Sequence, residues 1–134
     1  MRNVILSILA ILVISSCDPV ASMEANIENQ TSRVLSLEFV SKDTLEVESK
    51  TFIIGANQSV LFQEVFDVGN TYLEPYLIEY DSVILREGLT TVLKVFKENS
   101  SGKNIYNIGS SWISREDPKR FFYYTYQLNE EDLQ

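Results

Sequence analysis

The chain has no histidine and a single cysteine, Cys17, among its 134 residues. Without histidine it lacks the commonest general base, the most frequent metal ligand and the one side chain that normally titrates near neutrality. Serine–histidine catalysis is impossible, and a zinc site would need an all-carboxylate ligand set, which is unusual. One cysteine forms neither an internal disulfide nor a thiolate cluster. Cations are scarce as well: 11 Lys and Arg face 19 Asp and Glu, a net charge of −8. Nucleic acid requires a basic face, so no nucleic-acid partner is expected, and no cofactor or metal is expected either. Long hydrophobic runs are missing too. The most apolar stretch, Val4–Ile14, is broken by Ser7 and counts 11 residues, short of the roughly 18 that a membrane span needs.

What is present begins at the N-terminus. Arg2, the apolar run and then Ser15-Ser16-Cys17 follow the order of a secretory signal: charged segment, short apolar segment, small residues, cleavage point. An ordinary signal peptide with a chance cysteine nearby is the plainer reading. With the only thiol at the cut, the segment resembles a bacterial lipoprotein signal, in which the cysteine is acylated and becomes the first mature residue. That resemblance implies residues 1–16 as signal peptide and Cys17 as the lipidation site. It also implies a membrane partner reached through the lipid and a place in the cell envelope, at the outer membrane rather than the inner. Two or three acyl chains make such attachment effectively permanent, each buried methylene contributing about 0.8 kcal/mol. Cleavage leaves 118 residues with 10 basic and 19 acidic side chains, a length that suits one domain.

Residues 17–26 contain Pro19 and read as a lipidated, flexible tether, which leaves 27–134 as the domain. From Ile27 the chain breaks into short runs rich in β-branched and aromatic residues, separated by turn-forming clusters. Val34–Val40 alternates, with Leu35, Leu37 and Phe39 on one face. Thr51–Ile54 is a short apolar run. Ser59–Phe66 places Val60, Phe62 and Phe66 on one face with Glu64 interrupting it, and Tyr76–Arg86 is long enough for a central strand. Thr90–Phe96, Ile105–Ile108, Ser111–Ile113 and Phe121–Leu128 complete the set, although Leu89–Phe96 weakly fits a helical period. Asn129 to Leu133 reads as one capped helical turn with three acids at its positive end. The pattern predicts an all-β fold, an antiparallel β-sandwich, with an immunoglobulin-like arrangement as the first choice.

Asp81-Ser82-Val83, Asn104-Ile105-Tyr106-Asn107, the tryptophan that follows, and Tyr124 to Leu133 resemble small lipoproteins of the Bacteroidota. The resemblance covers Tyr80 to Leu133 best. It implies envelope location and a β-fold, and brings no catalytic residues with it.

Four sets of residues are candidates for function. The first is aromatic: on a strand, Phe122, Tyr124, Tyr126 and Leu128 share one face while Phe121 and Tyr123 share the other. The second face, with Trp112 and Tyr106, could form a stacking platform for sugar rings, whereas the plainer reading covers it with a neighbouring strand or loop. The second set is acidic: Asp43, Glu46 and Glu48, Glu116-Asp117, and Glu130-Glu131-Asp132. Two carboxyls across a cleft can hydrolyse a glycoside, but such charge runs are usually solvated faces. The third is Asp67, Asn70 and Glu74, oxygen donors whose spacing does not match the 12-residue calcium loop. The fourth is Thr44 and Ser82, which resemble the Asp-Ser/Thr-aliphatic sites of O-glycosylation in Bacteroidota. Asn29, Asn57 and Asn99 fit the N-glycosylation pattern and read as turn composition. Taken together, the residues favour a non-enzymatic, membrane-anchored envelope lipoprotein with a binding or assembly role and a protein or glycan partner. The alternative is a carbohydrate-binding or carbohydrate-active protein that uses surface aromatics and carboxylates.

Overall fold

The computed structural model describes residues 18–134, so the signal segment and Cys17 lie outside the described residues. Eight strands form: β1 (Val20–Asn29), β2 (Leu35–Ser41), β3 (Lys50–Ile54), β4 (Ser59–Val68), β5 (Tyr80–Glu87), β6 (Thr91–Phe96), β7 (Ile113–Glu116) and β8 (Phe121–Leu128). A single helical turn, α1 (Ile108–Ser111), precedes β7, and a 3₁₀ turn, Glu130–Leu133, ends the chain. One sheet has the order β4-β1-β8-β7 and the other β3-β2-β5-β6. Neighbours are antiparallel except β1 and β8, which run parallel. The all-β sandwich is therefore the fold. The immunoglobulin order is not: that order pairs the first strand with the second, whereas here they lie in opposite sheets.

The core fills the space between the sheets. β8 alternates strictly, burying Phe122, Tyr124, Tyr126 and Leu128, as its sequence predicts. β2 buries Leu35, Leu37 and Phe39, and β5 contributes Val83 and Leu85. Aromatic rings join the two layers: Phe39 stacks on Phe62 at 4.6 Å and 21°, and Phe96 meets Tyr126 edge-on at 6.2 Å. Each fully buried large side chain contributes about 1.5–3 kcal/mol relative to exposure, so these rings dominate stability.

Three segments depart from expectation. The stretch read as a tether is the central strand β1, whose Ala21, Met23, Ala25 and Ile27 are buried to 1% exposure or less. Its alternation is carried by alanines, which are weak strand formers, and they fit because β1 is enclosed by β4 and β8. In β4 a bulge interrupts the pairing: Ala25 faces Gln63 but Asn26 faces Leu61, leaving Phe62 as the extra residue. A bulge reverses the inward phase. Val60 and Val65 therefore point in, while Glu64 and Phe66 point out, which removes the apparent interruption at Glu64. Lastly, Ile105–Ile108 is no strand. Buried Asn104 donates its side-chain amide to the carbonyls of Lys97 (2.7 Å) and Ser100 (3.1 Å) and accepts from Tyr106 N–H (3.2 Å). An asparagine that bonds the backbone locally competes with the ladder and holds the chain in turns.

Asn29 performs a similar role where β1 ends. Its amide donates to Arg33, Ile54 and Gly55 carbonyls, and its oxygen accepts from both the N–H and the hydroxyl of Thr31. At the C-terminus, the buried Asp132 carboxylate accepts from Lys103 Nζ and from Asn129 N–H, and Leu133 packs against the core.

Candidate functional site

The outer face of the β4-β1-β8-β7 sheet carries the residues best placed to meet a ligand. Register aligns them in rows across the strands. Phe66 and Phe121 flank Ser22; Glu64, Glu24, Tyr123 and Arg115 form the next row; Leu61, Asn26, Thr125 and Ile113 form the third. Phe121 and Tyr123 stand two residues apart on β8, with ring centroids 4.8 Å apart and tilted by 35°. The Arg115 guanidinium lies 4.8 Å from the Tyr123 centroid. Arginine over an aromatic face is held by the ring quadrupole and presents its N–H groups outward.

Two open grooves flank Glu24. One, of about 460 Å³, includes Ser22, Glu64, Phe66 and Phe121. The other, of about 380 Å³, includes Asn26, Ile113, Arg115, Tyr123 and Thr125. Glu24 and Glu64 occupy directly opposed positions of β1 and β4. No salt bridge among the described residues engages either carboxylate or Arg115. A flat aromatic pair, a guanidinium and two free carboxylates can stack on a ring face and exchange hydrogen bonds with its substituents. The carboxylates stand side by side on one sheet surface and do not oppose each other across a cleft.

Of the four aromatic residues expected to form a platform, this face holds Phe121 and Tyr123. Trp112 is 6% exposed. It packs between Phe62 and Tyr126 and donates its indole N–H to the Ile105 carbonyl at 2.7 Å, so it belongs to the core. Tyr106 is half-buried and donates its hydroxyl to the Tyr80 carbonyl at 3.2 Å. Burial, with the Asp81 and Glu98 carboxylates adding to it, pushes its phenol up to about 12. Tyr106 and Trp112 are thus structural, and the platform reduces to Phe121 and Tyr123.

Three of the acids that the sequence singles out have other tasks. Asp43 accepts from Leu45 N–H in an exposed turn, Glu116 accepts from Arg120 N–H, and Asp132 is buried against Lys103. Asp67 accepts the Asn70 amide, and Glu74 accepts the Tyr72 hydroxyl at 3.2 Å, so these donors are turned to each other and to neighbours. Among the described residues no three His, Cys, Asp or Glu side chains converge to hold a metal ion. Thr44 lies exposed in the turn between β2 and β3, while Ser82 is 7% exposed within β5 and is closed to a modifying enzyme. Asn29 is fully buried and equally inaccessible.

Glu24 falls inside the stretch that reads as a tether and Arg115 between the runs Ser111–Ile113 and Phe121–Leu128, so the sequence singles out neither. The signal for Glu24 was there: Ser22, Glu24, Asn26 and Glu28 alternate with Ala21, Met23, Ala25 and Ile27. Comparison with protein-family models, curated proteins and solved structures finds no match to this chain.

Proposed function

We propose that this is a lipid-anchored protein of the bacterial envelope that binds its partner without transforming it, and that the outer face of the β4-β1-β8-β7 sheet is the binding surface. Attachment rests on Cys17 and the signal-like order before it. The observation that carries the binding role is Tyr123, held between Phe121 and Arg115 beside the unpaired Glu24. Binding is preferred to hydrolysis because the two free carboxylates are neighbours on one flat face, whereas glycoside cleavage uses carboxyls on opposite sides of the scissile bond.

A glycan is the favoured ligand class, since an aromatic beside an acid in an open groove suits a sugar ring with its hydroxyls. An envelope protein is the other. The test is retention on immobilised envelope polysaccharide by wild type, Tyr123→Ala and Phe121→Ala. Loss of retention in both variants with unchanged melting temperature supports the glycan platform. Equal retention by all three removes it, and a subsequent search for a protein partner would use the same two variants.

A further inference from the structure

We infer that the end of the sandwich where β1 begins is seated directly on the lipid surface, with Val20, Phe66, Val68 and Tyr72 as the membrane-contacting side chains. This rests on the reading of Cys17 as the lipidated residue. The argument starts from the absence of a tether. Pro19 is already fixed, its carbonyl accepting the Gly69 N–H at 2.7 Å, and Val20 pairs with Val68. Only Asp18 separates Cys17 from anchored backbone. Two residues reach at most about 7 Å between Cα atoms, so a lipid on Cys17 would bring this end of the domain to the membrane–water interface.

What the fold places there suits that position. Val20 and Val68, directly opposed across β1 and β4, are 45% and 55% exposed, and Phe66, one step further along, is 69% exposed. Tyr72 is 58% exposed, its ring T-shaped to that of Phe122 with centroids 5.2 Å apart and its hydroxyl shared with Tyr124 and Glu74. Tyrosine with a dry ring and a wet hydroxyl is a typical residue of membrane interfaces. Lys119 and Arg120 lie in the turn that enters β8, and the Arg120 carbonyl accepts Ser22 N–H at 3.0 Å, which puts both cations at the same end. Asp18, Asp67 and Asp117 share it and outnumber the two cations, so the surface suits zwitterionic rather than anionic lipid. The ligand face then stands upright on the membrane, with Phe66 at its foot and Glu24 and Tyr123 above.

The experiment uses the full-length lipidated protein in phosphatidylcholine vesicles, with a spin label on a cysteine introduced at Val68, at Tyr72 or at Leu89. Leu89 is 63% exposed and lies in the turn at the opposite end, where β5 leads into β6. Acylation blocks Cys17, so wild type should take up no label; labelled wild type would refute the lipid anchor itself and leave seating of the domain without a basis. With the anchor intact, labels at Val68 and Tyr72 should collide severalfold more with membrane-soluble oxygen than with an aqueous nickel complex, and the Leu89 label should show the reverse. Labels at Val68 and Leu89 that are equally open to the aqueous reagent would overturn the proposal. So would a Val68 label shielded from both reagents and broadened by a second label, because that would mean the patch is covered by another copy of the chain.

Discussion

Glu24 and Glu64 face each other across the β1–β4 pairing, and among the described residues neither forms a salt bridge. Like charges directly opposed on a sheet are unfavourable, on the scale of about 0.2–1 kcal/mol. Replacing one with the opposite charge converts repulsion to attraction. Glu64→Lys should therefore raise stability by about 0.5–1 kcal/mol in low salt, with the gain shrinking as salt screens the pair. Chemical denaturation at two ionic strengths measures it. If the pair serves a ligand, the same substitution weakens retention on the binding partner while it stabilises the fold.

The two faces of β8 make separate contributions. Phe122 is 7% exposed in the core, while Phe121 is half-exposed on the outer face. Removing a buried Phe side chain costs about 3–5 kcal/mol against a total stability of about 5–15 kcal/mol. Phe122→Ala should lower the melting temperature by many degrees, and Phe121→Ala by much less. Equal melting curves for Phe122→Ala and wild type would show that the inward face has been assigned wrongly.

Much of this division was legible in the sequence. Phe121–Leu128 and the Leu35, Leu37, Phe39 face of β2 follow a period of two with large side chains, and large side chains leave little choice about which way a strand faces. β1 is faint in the sequence: its alternation is present, but two of its inward positions, Ala21 and Ala25, are small side chains whose burial depends on strands that arrive much later in the chain. The inward phase of β4 turned on a bulge at Phe62, and the turns at 104–107 on a buried asparagine that bonds backbone seven residues away. Of the candidate site, Tyr123 could be read from alternation alone. Its partners Arg115 and Glu24 come from different strands and are brought beside it by register, which local patterns do not encode.

Three tyrosines confer an alkaline limit on stability. Tyr106 is pushed up to about 12, mainly by burial and then by Asp81 and Glu98. Tyr126 is raised by burial and by Asp132, and Tyr124 by burial and by its bond to Tyr72. In the unfolded chain each phenol ionises near 10. Above that pH the unfolded state loses protons that the folded state retains, so stability falls as pH rises. The loss should begin near pH 10 and, for Tyr106, continue to about 12. Tyrosinate absorbance should rise in two stages, the second coinciding with loss of β-sheet circular dichroism. A single stage complete before unfolding would contradict these environments.

The central claim is that Cys17 anchors a binding domain to a bacterial membrane. Its most direct measurement is metabolic labelling with a fatty acid, followed by membrane fractionation, of cells expressing wild type and Cys17→Ser. The account predicts a labelled, membrane-associated wild type and a Cys17→Ser chain that carries no lipid and leaves the membrane fraction. A Cys17→Ser chain that still carries the label and stays with the membranes would contradict it.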